Sequence, residues 1–403
     1  MHEGLDLSVV AAVAASLVCW GLVSVRLERW NLTAPICFVA VGLALANEPL
    51  AVIHPSIGSE GVRQLAEFAL AVVLFGDAAS VELRKLRRDA ALPGRLLILG
   101  LPLTISAGAL SAHWLLPGTS WWVSAVIGAA VAPTDAALGS AILEDERVPA
   151  RVRRVLNVES GLNDGIATPF VNFFIVAAVA GTAFGTSSRW QALIEIGLGV
   201  FFGAALGAAG GWSMSAARRR GLASPSFRAV GTAALSVLAF AGITEIGGNG
   251  FVAAFVAGLA FRGAVRATHD EPALGFTHDA GGLLSLTVWF IFGALVLPIL
   301  RDATWRDVAF AVAALTIVRM APVAVSLLGA GLDRSTVAVI GWFGPRGLAS
   351  VVFAVLAAQS LAPDDGRRAL SAVAVTVGLS VVLHGSSASP IAKRYGASHP
   401  QVP

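Results

Sequence analysis

The apolar residues of this chain are gathered into run after run of about 20, the length at which a helix crosses the hydrocarbon core of a bilayer. That feature excludes most folds at once. Hydrocarbon offers no water to an open backbone, so only helices or a closed barrel can span it. Unbroken apolar runs, rather than a two-residue alternation, select helices. The expected fold is an all-α polytopic membrane protein. Thirteen spans are predicted, at about 7–25, 32–49, 62–80, 95–116, 121–143, 153–182, 190–216, 226–246, 250–263, 280–300, 307–330, 335–361 and 368–391. The ninth is the shortest and the least marked.

Only 13% of the 403 residues are charged, against about 25% in a soluble domain. Scarce charge makes its placement informative. Arg26, Arg29, Arg84, Lys85, Arg87, Arg88, Arg147, Arg151, Arg153, Arg154 and Arg218 to Arg220 follow odd-numbered spans, whereas few basic residues follow even-numbered ones. The basic side is cytoplasmic, which predicts an N-terminus outside, a C-terminus inside and an odd number of spans in a plasma or inner membrane. The net charge of +3 reflects this topology and not nucleic-acid binding, because no basic cluster is interleaved with aromatics. The opening MHEGLDLSVV has no basic n-region, so no cleaved signal is expected. Cys19 and Cys37 fall inside apolar runs and suggest neither a disulfide framework nor a metal knuckle. Loops are brief, so residues 1–403 are expected to form a single membrane domain with no soluble regulatory domain. The seven histidines are scattered, mostly toward span ends, and read as interfacial.

Several ionisable residues fall within the spans. Arg319 in ALTIVRMAPVAV, Arg346 in GWFGPRGLAS, Asp135 in AAVAPTDAALGS, Asp77 in LFGDAAS, and Glu159 and Asp164 in NVESGLNDGIATPF all lie at predicted membrane depth. Such residues cost several kcal/mol there and mark cavities, partners and pathways. Snorkelling to the interface is the bland alternative to function for each, and it weighs most for Asp77. Helical spacing pairs Glu159 with Asn163 and Ser160 with Asp164, so the four form one polar stripe. Either Arg319 or Arg346 can neutralise Glu159, which leaves Asp164 as the spare charge.

A repeat gives the stripe a setting. AVIGAAVAPTDAALGSAI in span 5 resembles AVIGWFGPRGLASVVFA in span 12. Pro133 and Pro345 each remove a helical hydrogen bond, so both spans are expected to break near their middles. Spans 5 and 12 are seven apart and run oppositely through the membrane. This is the pattern of an inverted repeat, about 7–182 mirrored by 226–391. Matching broken helices mark a transporter's site near mid-membrane.

The series APTDAALGSAI, VESGLNDGIATP, VRM and GPRGLAS, in that order, resembles the NhaP-type sodium/proton antiporters. These belong to the cation–proton antiporter family that includes the animal sodium/proton exchangers. The resemblance covers nearly the whole chain. It implies a homodimer of 13-helix bundles with crossed, interrupted helices 5 and 12. It implies that Asn163 and Asp164 are the ion-binding pair and that Thr134 and Asp135 lie in the first helix break. Ser160 is a further ligand, Glu159 and Arg319 form a structural ion pair, and Arg346 sits at the second break. Asp77 is carried over by position alone.

A hard monovalent cation, Na+ with Li+ close behind, would then bind Asp164, Ser160 and Thr134, with Asp135 as a further oxygen donor. Burial disfavours the charged form of Asp164, so proton and cation compete for it. Related electrogenic exchangers carry a second Asp where this chain has Asn163, so one-for-one, electroneutral exchange is expected. K+/H+ exchange on the same fold is the near alternative, and a passive cation channel a remoter one. Neither His-Glu-x-x-His nor Gly-x-Ser-x-Gly occurs, so an enzyme is not expected, and no cofactor is implied.

Overall fold

A computed structural model describes residues 7–28, 30, 32–55, 59–81, 91–135, 138, 140–143, 145–181, 185–301 and 303–399. The opening six residues, the basic residues Arg29, Arg84, Lys85, Arg87 and Arg88, and Ala136, Ala137 and Gly139 of the span-5 motif lie outside that set. The described chain is helical throughout. In order, the helices are α1 (Leu7–Glu28), α2 (Ala34–Ala46), α3 (Glu60–Ser80), α4 (Ala91–Leu115), α5 (Trp121–Ala130), α6 (Ser140–Leu143), α7 (Ala150–Ala180), α8 (Thr186–Arg219), α9 (Pro225–Glu245), α10 (Gly250–Ala267), α11 (Gly275–Arg301), α12 (Trp305–Leu315), α13 (Ile317–Ser326), α14 (Arg334–Trp342), α15 (Leu348–Ser360) and α16 (Pro363–Ser398).

Each predicted span has its counterpart. Spans 5 and 12 are interrupted, as their prolines require: α5 and α6 flank the first break, and α14 and α15 flank residues 343–347. The short ninth span is a complete helix, α10, of 18 residues. Its N-terminus is set by Asn249, whose side chain accepts from the Val252 amide at 3.0 Å. Span 11 differs from the expectation of one unbroken helix. It divides at Thr316 (φ −112°, ψ −96°) into α12 and α13, although neither Gly nor Pro stands there. α4 carries a π-helical turn over Leu96–Gly100.

The helices fall into two compact units, residues 1–64, 89–163 and 286–403 in one and 65–88 and 164–285 in the other. In the first, spans 4, 5, 6, 11, 12 and 13 share a core that includes Leu96, Ile142, Leu156, Val323, Ile340 and Ala392. In the second, Phe75, Ala239, Ala257 and Phe261 pack together from α3, α9 and α10. There α8 meets α10 through small residues, and a Cβ on Gly207 would lie 2.1 Å from the Ala257 carbonyl oxygen. Close backbone approach of this kind gives dispersion contact between helices that water does not drive together. Leu7, Leu22 and Val25 on α1 stay exposed, as lipid-facing side chains do.

Candidate functional site

The two helix breaks meet in the first unit. The Asp135 amide donates to the Pro345 carbonyl at 2.8 Å, so one unwound strand bonds directly to the other. Each break leaves backbone groups without partners inside its own helix, and those ends carry partial charges, positive at an N-terminus and negative at a C-terminus. The side chains match these signs. The Asp135 carboxylate accepts from the Leu348 amide at 3.1 Å, at the N-terminus of α15. The Arg346 guanidinium donates to the carbonyls of Ala132 (2.6 Å) and Pro133 (3.2 Å), just past the C-terminus of α5. It also donates to Ala314 at 3.1 Å, where span 11 divides.

Arg346 is 0% exposed. Among the described residues its guanidinium bonds three carbonyls and no carboxylate. Glu159 has instead taken Arg319: Nη1 donates to Oε1 at 2.6 Å, with both side chains buried. Only glycine fits beside this pair. A Cβ on Gly344 would lie 2.6 Å from Nε of Arg319 and 2.8 Å from Cγ2 of Thr134, and one on Gly347 would lie 1.9 Å from Oδ2 of Asp135. The GPRG sequence therefore lets the second break lie flat against the first.

Asn163 and Glu159 of α7 meet this crossing. Nδ2 of Asn163 donates to Oγ1 of Thr134 at 2.6 Å. The other amide atom, Oδ1, is buried and has no donor among the described residues. A buried acceptor left open costs about 1–3 kcal/mol, and an oxygen so placed is suited to a dehydrated hard cation. Ser160, buried, spends its hydroxyl hydrogen on the Leu156 carbonyl at 2.9 Å, which leaves its lone pairs as acceptors. Asp164 is the next residue after Asn163 on the same helix and is 9% exposed. Gly165 beside it packs on Phe255, within the second unit.

The structure thus joins Thr134 to Asn163, Asp135 to the Pro345–Leu348 segment, Glu159 to Arg319, and Arg346 to the Pro133 strand. Asp77 lies half-buried on α3 in the second unit, one turn before Ser80, whose hydroxyl is 2.9 Å from Nε2 of His278. Two polar residues beside the crossing escaped the sequence reading. Ser380 accepts from the Arg346 amide at 2.8 Å, and His384, 1% exposed, is buried rather than interfacial. The available signal was their i, i+4 spacing inside an apolar span.

A family model described as "Sodium/hydrogen exchanger, transmembrane" matches residues 12–394. Among curated proteins, the chain is 28% identical to a K(+)/H(+) antiporter NhaP of Alkalimonas amylolytica, over 82% of this chain and 57% of that one. It is 26% identical to a Na(+)/H(+) antiporter of Schizosaccharomyces pombe, over 63% and 58%. It is 25% identical to a K(+)/H(+) antiporter NhaP2 of Shewanella oneidensis, over 83% and 58%. The chain therefore spans somewhat more than half the length of the curated relatives it matches. The solved structure of the sodium proton antiporter MjNhaP1 from Methanocaldococcus jannaschii superposes with a TM-score of 0.78 at 20% identity, covering 97% of this chain and 99% of that one.

Proposed function

The chain belongs to the sodium/hydrogen exchanger family of transmembrane proteins, and on that premise we propose that it is an electroneutral antiporter. It exchanges Na+, and Li+, for H+ by alternating access. The observation that carries the reading is the open, buried Oδ1 of Asn163, whose Nδ2 is held by Thr134 at the first helix break. In this reading Asp164 holds either the proton or the cation. Ser160 and the Thr134 backbone lend neutral oxygens, as does Asn163, and Asp135 is a further oxygen donor. The loaded site crosses, and the bare anion does not, because its desolvation is too costly. Glu159 with Arg319, and Arg346 on its carbonyls, hold the framework without carrying the ion.

The same reading has residues 1–403 as one membrane domain built from the repeats 7–182 and 226–391, working as a homodimer in the inner membrane. The first helix begins outside and the last ends in the cytoplasm. Potassium is the second candidate cation, because relatives named K(+)/H(+) antiporters stand beside one named for Na(+). Proteoliposomes containing a trapped pH dye, given Na+, Li+ and K+ in turn, identify the cation. Repeating the assay under a valinomycin-clamped potential tests the stoichiometry. One proton against one monovalent cation moves no net charge, so the field energy of about 2.3 kcal/mol per charge per 100 mV drops out of the coupling. Exchange is expected to be indifferent to the potential. A rate that follows the potential brings a second titrating group into the cycle, with Asp135 and Asp77 first in line.

A further inference from the structure

Ser380 and His384 stand one turn apart on α16, both essentially without exposure, and neither has a part in the mechanism above. They address opposite ends of the break in span 12. Nε2 of His384 is 2.8 Å from the carbonyl oxygen of Trp342, the last residue of α14. Oγ of Ser380 receives the amide hydrogen of Arg346 at 2.8 Å, two residues before α15 begins. The indole of Trp342 stacks on the imidazole, with ring centroids 5.1 Å apart.

The hydrogen on Nε2 can be assigned from these contacts. A carbonyl only accepts, so Nε2 carries hydrogen and donates to Trp342. Nδ1 of His384 lies 3.1 Å from the Ser380 hydroxyl and 3.0 Å from the Ser380 carbonyl. The grip on the break depends on the Nε2 hydrogen alone, which the Trp342 carbonyl requires whichever Ser380 oxygen Nδ1 meets. The segment held between the two grips touches the candidate site, with Gly344 against Thr134 and Arg319 and Pro345 accepting from the Asp135 amide; just past it, Leu348 donates to the Asp135 carboxylate. Thr134 in turn holds Asn163.

We propose that His384 and Ser380 are positioning residues, a clasp on span 13 that fixes the length of the span-12 break and, through it, the placement of Thr134 and Asn163. The transport part of this proposal rests on the exchange reading. The clasp itself is a statement about residues 342–348 and can be tested without transport.

The variants are His384→Leu, which keeps bulk and deletes the donor, and His384→Gln, whose amide can reach the Trp342 carbonyl. Each is studied as the full chain in lipid nanodiscs and in proteoliposomes. Hydrogen–deuterium exchange over residues 343–348 is expected to speed up about tenfold or more in His384→Leu, the factor for losing one hydrogen bond to a buried carbonyl. Its maximal cation/proton exchange rate should fall by a similar factor. His384→Gln should stay within about threefold of wild type in both readouts, since it restores the donor. Wild-type amide protection in His384→Leu overturns the clasp. So does His384→Gln that is as inactive as His384→Leu while residues 343–348 stay protected, because the imidazole would then be needed for its proton and not its grip. Activity loss that only tracks a lowered melting temperature, equally in both variants, also overturns it. If the wild type exchanges no cation for protons, the exchange reading fails, and the deuterium result still decides the clasp.

Discussion

Asp164→Asn is expected to yield a folded protein that moves no protons when cation is added to proteoliposomes. Asparagine is nearly isosteric with aspartate, so the buried position is filled as before. It can neither release a proton near neutrality nor lend a full negative charge to a cation. In the proposed cycle one carboxylate does both, so the loss is complete in either direction rather than a change in apparent affinity. Residual exchange above about a tenth of wild type would move the site elsewhere. The control is thermal melting: an unfolded variant says nothing about transport, and the neutral substitution gives no reason for unfolding, since burying Asn costs less than burying a carboxylate.

The second large effect falls on stability. Glu159 and Arg319 are both 3% exposed and joined at 2.6 Å. Removing one partner strands the other's charge in a medium that cannot solvate it, typically at about 3–5 kcal/mol. Glu159→Ala and Arg319→Ala should each lower the melting temperature strongly. The double variant should recover a large part of the loss, because no bare charge remains. Arg346 is the alternative partner that sequence alone leaves open, and the cycle discriminates between the two. If the single effects simply add, the pair at 2.6 Å does not contribute the coupling that its burial implies. Pairing the Glu159 variant with a change at Arg346 instead should give no recovery, because that guanidinium is held by the carbonyls of Ala132, Pro133 and Ala314.

That division of labour between the two arginines also marks the limit of what the sequence discloses. The spans follow from apolar length, and the breaks at 5 and 12 follow from Pro133 and Pro345, because both are local properties of the chain. The polar stripe of α7 follows from helical spacing. The break at Thr316 does not, since no local breaker stands there. The freed Ala314 carbonyl is taken by Arg346, more than 30 positions later in the chain, so the interruption is a tertiary choice. Ser160 is legible as a polar residue on the stripe, yet only coordinates reveal that its hydrogen turns back to Leu156. His384 was misleading for a related reason. A histidine near the end of a long helix reads as interfacial, but α16 runs from Pro363 to Ser398 and places it opposite a broken helix with a carbonyl to satisfy. Asp77 stays attached to the account by sequence position alone.

The central claim is that one carboxylate serves proton and cation in turn. It is tested most directly by the half-saturating cation concentration of exchange, measured in proteoliposomes across external pH. Only the deprotonated fraction of the site can take the cation, so apparent affinity falls in proportion to that fraction. On the acid side of the site's titration, the half-saturating concentration should rise about tenfold per pH unit while the maximal rate at saturating cation is preserved. A half-saturating concentration that stays constant with pH, with the maximal rate changing instead, would mean that proton and cation occupy different groups, and would contradict the claim.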